Sequence, residues 1–129
     1  MSLPAFITAL RDDDWRVRAQ AAAALGRSGT AVAVAVLEAA LADPYWQVRA
    51  EVAMALGRLP AVNAAATLID WLEDESPYVR GAVATALGNL RARAARAPLR
   101  ALTGDPHPEV KHSAARALDA IDALEPTSP

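Results

Sequence analysis

Val17, Val48, Val79 and Val110 stand 31 residues apart, and each is followed by a base: Arg18, Arg49, Arg80 and Lys111. Leu25, Leu56, Leu87 and Leu118 keep the same step, as do Asp12, Asp43, Asp74 and Asp105. A chain that repeats with one period over its whole length is one small unit used four times. Its fold is therefore an array of that unit.

Within the first full period, "DDDWRVRAQAAAALG" places Val17, Ala21, Ala24 and Leu25 on one helical face. We call this segment helix B and read Gly26 and Gly29 as its stop signals. Residues 30–42 place Val34, Leu37 and Leu41 on one face ahead of the break at Asp43-Pro44, and form helix A. Alanine occurs 33 times and aromatics make up only 5%, so burial must come from close helix contacts around small side chains. A single helix pair cannot bury its apolar stripe alone and has to stack on the next. The expected fold is all-α, a right-handed α-solenoid of four 31-residue helix pairs, about eight antiparallel helices. It occupies 1–124 as one domain, with units near 1–29, 30–60, 61–91 and 92–124 and a flexible tail at 125–129.

The stretches "DDDWRVRAQAAAALG", "DPYWQVRAEVAMALG" and "DESPYVRGAVATALG" share the pattern Asp-(x)4-Val-Arg-(x)6-Leu-Gly. The pattern resembles the short HEAT-like repeat named after phycobilisome lyases, and the resemblance covers nearly the whole chain. It is specific for fold and weakly specific for function. The fourth unit departs most: Lys111 replaces Arg, Asp119 replaces Gly, and Thr103 replaces the Leu of Leu10, Leu41 and Leu72. Such decay suits a capping unit with a wetter outer side.

Asp12, Asp43, Asp74 and Asp105 stand between helix A and helix B, where a carboxylate favours a helix start. Arg18, Arg49, Arg80 and Lys111 lie in the first turns of helix B, within reach of an acid in the neighbouring unit. The resemblance implies a ladder of such pairs along the stack. A catalytic pair repeated in every unit has no mechanistic purpose, so these eight residues are read as structure. Trp71, beside Leu68 and Leu72, is read as a core residue. Pro98 falls in the first turn of the fourth helix A, where a missing N–H costs little.

Thirteen basic and fifteen acidic residues give a net charge of −2, which provides no global attraction to nucleic acid or to an anionic membrane. The arginines of "RARAARAPLR" read as a solvated outer face. With no cysteine, and with His107 and His112 five residues apart, no metal site is expected. Neither a phosphate-binding glycine loop nor a nucleophile elbow is present. No cofactor is expected, and the chain reads as a soluble cytoplasmic protein.

In arrays of this type the B helices line the concave surface, so positions that vary between units on that face mark where a partner binds. One such column is Ala19, Ala50, Gly81 and His112; others are Gln20, Glu51, Ala82 and Ser113, then Ala23, Met54, Thr85 and Arg116. Aromatics edge the face at Trp15, Tyr45, Trp46 and Tyr78, beside Arg16, a composition typical of interaction hot spots. The expected binding set is Trp15, Arg16, Tyr45, Trp46, Glu51, Met54, Tyr78, Thr85, His112 and Arg116. The expected function is a non-enzymatic scaffold for another protein. The alternatives are a bilin lyase or lyase accessory, and a nucleic-acid-binding module. Leu3, Phe6 and Ile7 at one end, with Ile121 and Leu124 at the other, offer a route to end-to-end self-association.

Overall fold

The computed structural model describes residues 2–123, without the side chain of Val62. Leu124 and the 125–129 tail lie outside the described residues. Eight α-helices follow one another, with no strand among the described residues. The A helices are α1 (Leu3–Ala9), α3 (Val32–Ala40), α5 (Ala65–Asp70) and α7 (Arg96–Leu102). The B helices are α2 (Trp15–Arg27), α4 (Trp46–Arg58), α6 (Pro77–Asn89) and α8 (Pro108–Asp122). Single 3₁₀ turns at Val62–Ala64, Trp71–Glu73 and Arg93–Ala95 bracket the later A helices. The result is a two-layered α-solenoid.

The A layer supplies Leu37, Leu41, Leu68 and Leu99 to the core, and the B layer supplies Leu25, Leu56, Leu87 and Ile121, all fully buried. Trp71 is partly buried and packs against this core. Each B helix packs chiefly on the next B helix, while the A helices meet one another far less. A stack that is tight in one layer and loose in the other curves toward the tight layer. The B helices therefore line the concave side.

The B–B approach is set by a glycine column. A Cβ on Gly26 would come within 2.7 Å of the Ala55 Cα, one on Gly57 within 2.8 Å of Ala86 Cα, and one on Gly88 within 2.8 Å of Ala117 Cα. The reading of Gly26 as a stop signal is thus corrected. It lies inside α2, where the next backbone passes too close for any side chain. Gly29 does end its unit in the left-handed region, with φ 70°. Arg91, at the same repeat position, takes φ 53°. There the Ala92 N–H reaches the Leu87 carbonyl and the Arg91 N–H reaches that of Gly88, which closes α6 as a Schellman turn.

The four aspartates do not cap the B helices. Each accepts a backbone N–H two residues on, from Asp14, Tyr45, Ser76 and His107 respectively, at 2.8–2.9 Å. They shape the A-to-B turn, and the N-caps are the four residues just named as donors. Arg18 then spans the joint between units: Nε donates to Asp43 at 2.7 Å and Nη2 at 3.2 Å, while Nη1 donates to the Asp12 and Asp13 carbonyls of its own turn. Arg49 does the same with Asp74, and Arg80 with Asp105. The Asp43 hydrogen bond outweighs the opposing effect of burial, and the Arg18 guanidinium is held above its ordinary pKa. At the ends the ladder is incomplete. The Lys111 side chain is exposed and holds no hydrogen bond or ion pair among the described residues, and no arginine among them reaches the exposed carboxylate of Asp12, so neither stands in a rung.

Candidate functional site

The aromatics at the starts of the B helices meet across the joints. Trp15 stacks on Tyr45 of the next unit with centroids 6.0 Å apart, and Trp46 stacks on Tyr78 at 4.7 Å. Trp46 and Trp15 share a repeat position, yet their partners stand on opposite sides of that position one unit on, Tyr45 just before it and Tyr78 just after. Stacking leaves Tyr45 46% exposed, Trp46 40% and Tyr78 61%. Trp15 is half-buried against the core, and Arg16 lies over its ring at 5.0 Å. These rings link neighbouring helices and still present a face to water.

The third joint is built differently. Pro77 and Pro108 stand where the two tryptophans stood, and Pro restarts α6 and α8 without needing an N–H. Among the described residues no stacked aromatic pair spans this joint. A cleft of about 300 Å³ opens between Pro77, Tyr78, His107 and Pro108. Its edge is fixed by Arg80, whose Nη2 lies 3.3 Å from His107 Nδ1.

Further along the same face, Met54, Tyr78, Gly81, Thr85, Glu109 and Ser113 border a groove of about 250 Å³ across α4, α6 and α8. Gly81 makes this groove. A Cβ there would meet only the Ser113 Oγ at 3.5 Å, so the missing side chain leaves open space that packing does not demand. Thr85 spends its hydroxyl hydrogen on the Gly81 carbonyl at 2.9 Å. The groove runs on into a cleft of about 160 Å³ beside Asn89 and Arg116.

Of the binding residues expected from sequence, Met54, Tyr78, Thr85 and Arg116 therefore come together. Trp15, Arg16 and Tyr45 form a separate cluster at the first joint, and Trp46 joins it to the groove only through Tyr78. Glu51 and His112 are exposed on α4 and α8 and border none of these clefts. Gly81, Ser113 and Glu109 were missed. Gly81 and Ser113 stood in the variable columns, and an unneeded glycine in a helix interior was the available signal.

Two larger grooves, of about 660 and 650 Å³, open between α1 and α3 and between α5 and α7. They follow from the loose A layer, which a curved stack opens like a fan. No group of three or more His, Cys, Asp or Glu suited to a metal ion occurs among the described residues.

A family model of HEAT repeats matches residues 1–57 and 65–128. No curated protein sequence matches the chain. Among solved structures, the complex of CpcE and CpcF of phycocyanin lyase from a Nostoc species is 31% identical with a TM-score of 0.86, covering 95% of this chain and 54% of that one. Human deoxyhypusine hydroxylase in complex with glycerol is 31% identical with a TM-score of 0.80, covering 95% and 44%. An engineered protein, 24% identical with a TM-score of 0.73 over 94% and 63%, shares the fold. This chain spans about half the length of the two natural proteins it resembles.

Proposed function

The chain belongs to the HEAT-repeat family, and from that premise we propose that it is a non-enzymatic scaffold that holds a partner protein against its concave B-helix face. One observation carries this reading. The core columns repeat with little change, while the concave columns diverge and build a groove at α4, α6 and α8 that the packing does not require. Met54 and Tyr78 bring apolar and aromatic surface to it beside the polar Ser113, Glu109 adds a charge, and Arg116 stands in the adjoining cleft. Aromatic residues, Met and Arg are enriched at protein interfaces. The likeness to a lyase that is itself a complex of two chains fits a protein partner.

Substituting Met54→Ala, Tyr78→Ala and Thr85→Arg together tests the proposal. The helical circular dichroism should be kept and co-purification of the partner lost. Undiminished co-purification contradicts the assignment of this face.

The same likeness favours a second reading, a lyase or lyase accessory. Incubation with a bilin and a phycobiliprotein tests it, and absence of a covalent adduct rejects it. No helix among the described residues is long and apolar enough to cross a membrane. The setting we propose is the cytoplasm.

A further inference from the structure

Two joints of the stack carry an indole that the third lacks. Trp15 stacks on Tyr45 at the first joint, and the Arg18 guanidinium lies over the same tyrosine ring at 5.5 Å. Trp46 holds the tryptophan position again at the second joint and stacks on Tyr78. At the third joint Pro77 stands in that position, while His107 stands where Tyr45 stood and Arg80 where Arg18 stood. Arg80 keeps the contact with the ring, its Nη2 lying 3.3 Å from His107 Nδ1. Ring and guanidinium are in place there, and the indole is not.

In its stead is the cleft of about 300 Å³ between Pro77 and Tyr78 of α6 and His107, Pro108, Glu109 and Val110 at the start of α8. Pockets that enclose a small molecule begin at about that size, so this one suits a single large side chain. No ring of this sequence remains to fill it: Trp15, Tyr45, Trp46 and Tyr78 are in the two stacks, and Phe6 and Trp71 pack against the core. The Glu109 carboxylate stands exposed at the cleft and holds no hydrogen bond or ion pair among the described residues. A negative charge there favours an N–H donor, and the indole N–H is a donor only. The cleft also shares Pro77, Tyr78, Glu109 and Val110 with the groove across α4, α6 and α8, so one bound segment reaches both.

We propose that this cleft anchors the partner protein by one tryptophan side chain, whose indole lies against the His107 ring as Trp15 lies against Tyr45 and donates its N–H to Glu109. The proposal rests on the reading that a partner protein occupies the concave face, and it names the residue by which that partner is held. Tryptophan in a confined pocket is a frequent hot spot of protein interfaces.

The two histidines make the test specific, since His107 lines the cleft and His112 borders none. Titrating the chain with N-acetyltryptophanamide at fixed pH should move the imaginary-free marker of the site, the His107 imidazole protons, upfield and saturably in proton NMR, with those of His112 unmoved. N-acetylleucinamide should move neither. Pro77→Trp should shift His107 upfield without any ligand and abolish the response to the amide, because the chain then supplies the ring itself. Glu109→Gln, which leaves the packing alone, should weaken the amide several-fold and serves if Pro77→Trp fails to fold. An unmoved His107 up to the solubility of the amide would overturn the proposal, as would His112 shifting in step with His107. Equal binding of N-acetylphenylalaninamide would reject tryptophan as the occupant. If the amide fails while the Met54, Tyr78 and Thr85 triple variant still loses its partner, the anchor falls and the concave-face reading stands. The reverse pair of results keeps the indole site and rejects the concave-face reading.

Discussion

Arg49 Nε donates to Asp74 at 2.9 Å across the joint between two units, while Nη1 of the same guanidinium donates to the carbonyls of Asp43 and Pro44 in its own turn. One side chain, 7% exposed, thus fixes two turns against each other. Arg49→Ala leaves Asp74 buried without its partner and should cost about 3–5 kcal/mol. Arg49→Lys should cost less but not restore wild-type stability, because an ammonium cannot serve both turns. Arg49→Met combined with Asp74→Ala should recover most of the loss, as read from urea unfolding followed by circular dichroism.

The same substitution should have opposite signs at two glycines. Gly57→Ala puts a Cβ 2.8 Å from the Ala86 Cα and should destabilise by about 1–3 kcal/mol through overpacking. Gly81→Ala meets only a serine hydroxyl at 3.5 Å and should stabilise by about 0.5–1 kcal/mol, the usual gain in a helix interior. It should also weaken partner binding, since it fills the groove. Thermal unfolding of the two variants side by side checks the signs.

Arg91 is the non-glycine residue with positive φ among the described residues. Arg91→Gly removes a left-handed penalty of about 1–2 kcal/mol, less the greater freedom glycine gains in the unfolded chain. It also forfeits an exposed bond from Nη1 to the Ala120 carbonyl. The expected outcome is a small rise in melting temperature.

Burial by itself raises the Asp105 carboxyl, but the Arg80 guanidinium and the His107 backbone N–H outweigh it and hold the group below its ordinary value. The folded state therefore keeps this carboxylate ionised where the unfolded chain takes up a proton. Its contribution to stability is full above the ordinary aspartate range, near 3.9, and is lost as pH falls through the lower folded value. Asp105→Asn should be less stable at neutral pH and lose less on acidification. Denaturant midpoints measured from pH 7 downward show whether the slopes differ.

How much of this was legible in the sequence depends on what each residue's neighbour is. The period alone settled the helix pairs, because Val17, Leu25 and their counterparts report a buried face whatever lies opposite. Gly26 was misread because a glycine that ends a helix and one that admits another backbone look alike in one unit. Only Ala55, from the next unit, tells Gly26 from Gly29. The aspartates were placed correctly between helices, but each takes the N–H of the N-cap residue itself and not the first-turn N–H groups that a cap would take. The aromatics were legible as a row and not as pairs, since Trp46 meets a Tyr two positions out of register with the Tyr that Trp15 meets. The groove was half legible. Met54, Thr85 and Arg116 share a column, but an empty space at Gly81 follows only from what lies around it.

The central claim is that a partner protein occupies the concave groove, and site-specific photocrosslinking tests it most directly. A photoreactive residue at Thr85 or Ser113, on facing helices of the groove, should give one shared adduct with the partner in an extract of the native cells. The same residue at Ala35 or Arg100, exposed on the A layer, should give none. An adduct that forms from Ala35 or Arg100 and not from Thr85 or Ser113 would contradict the account.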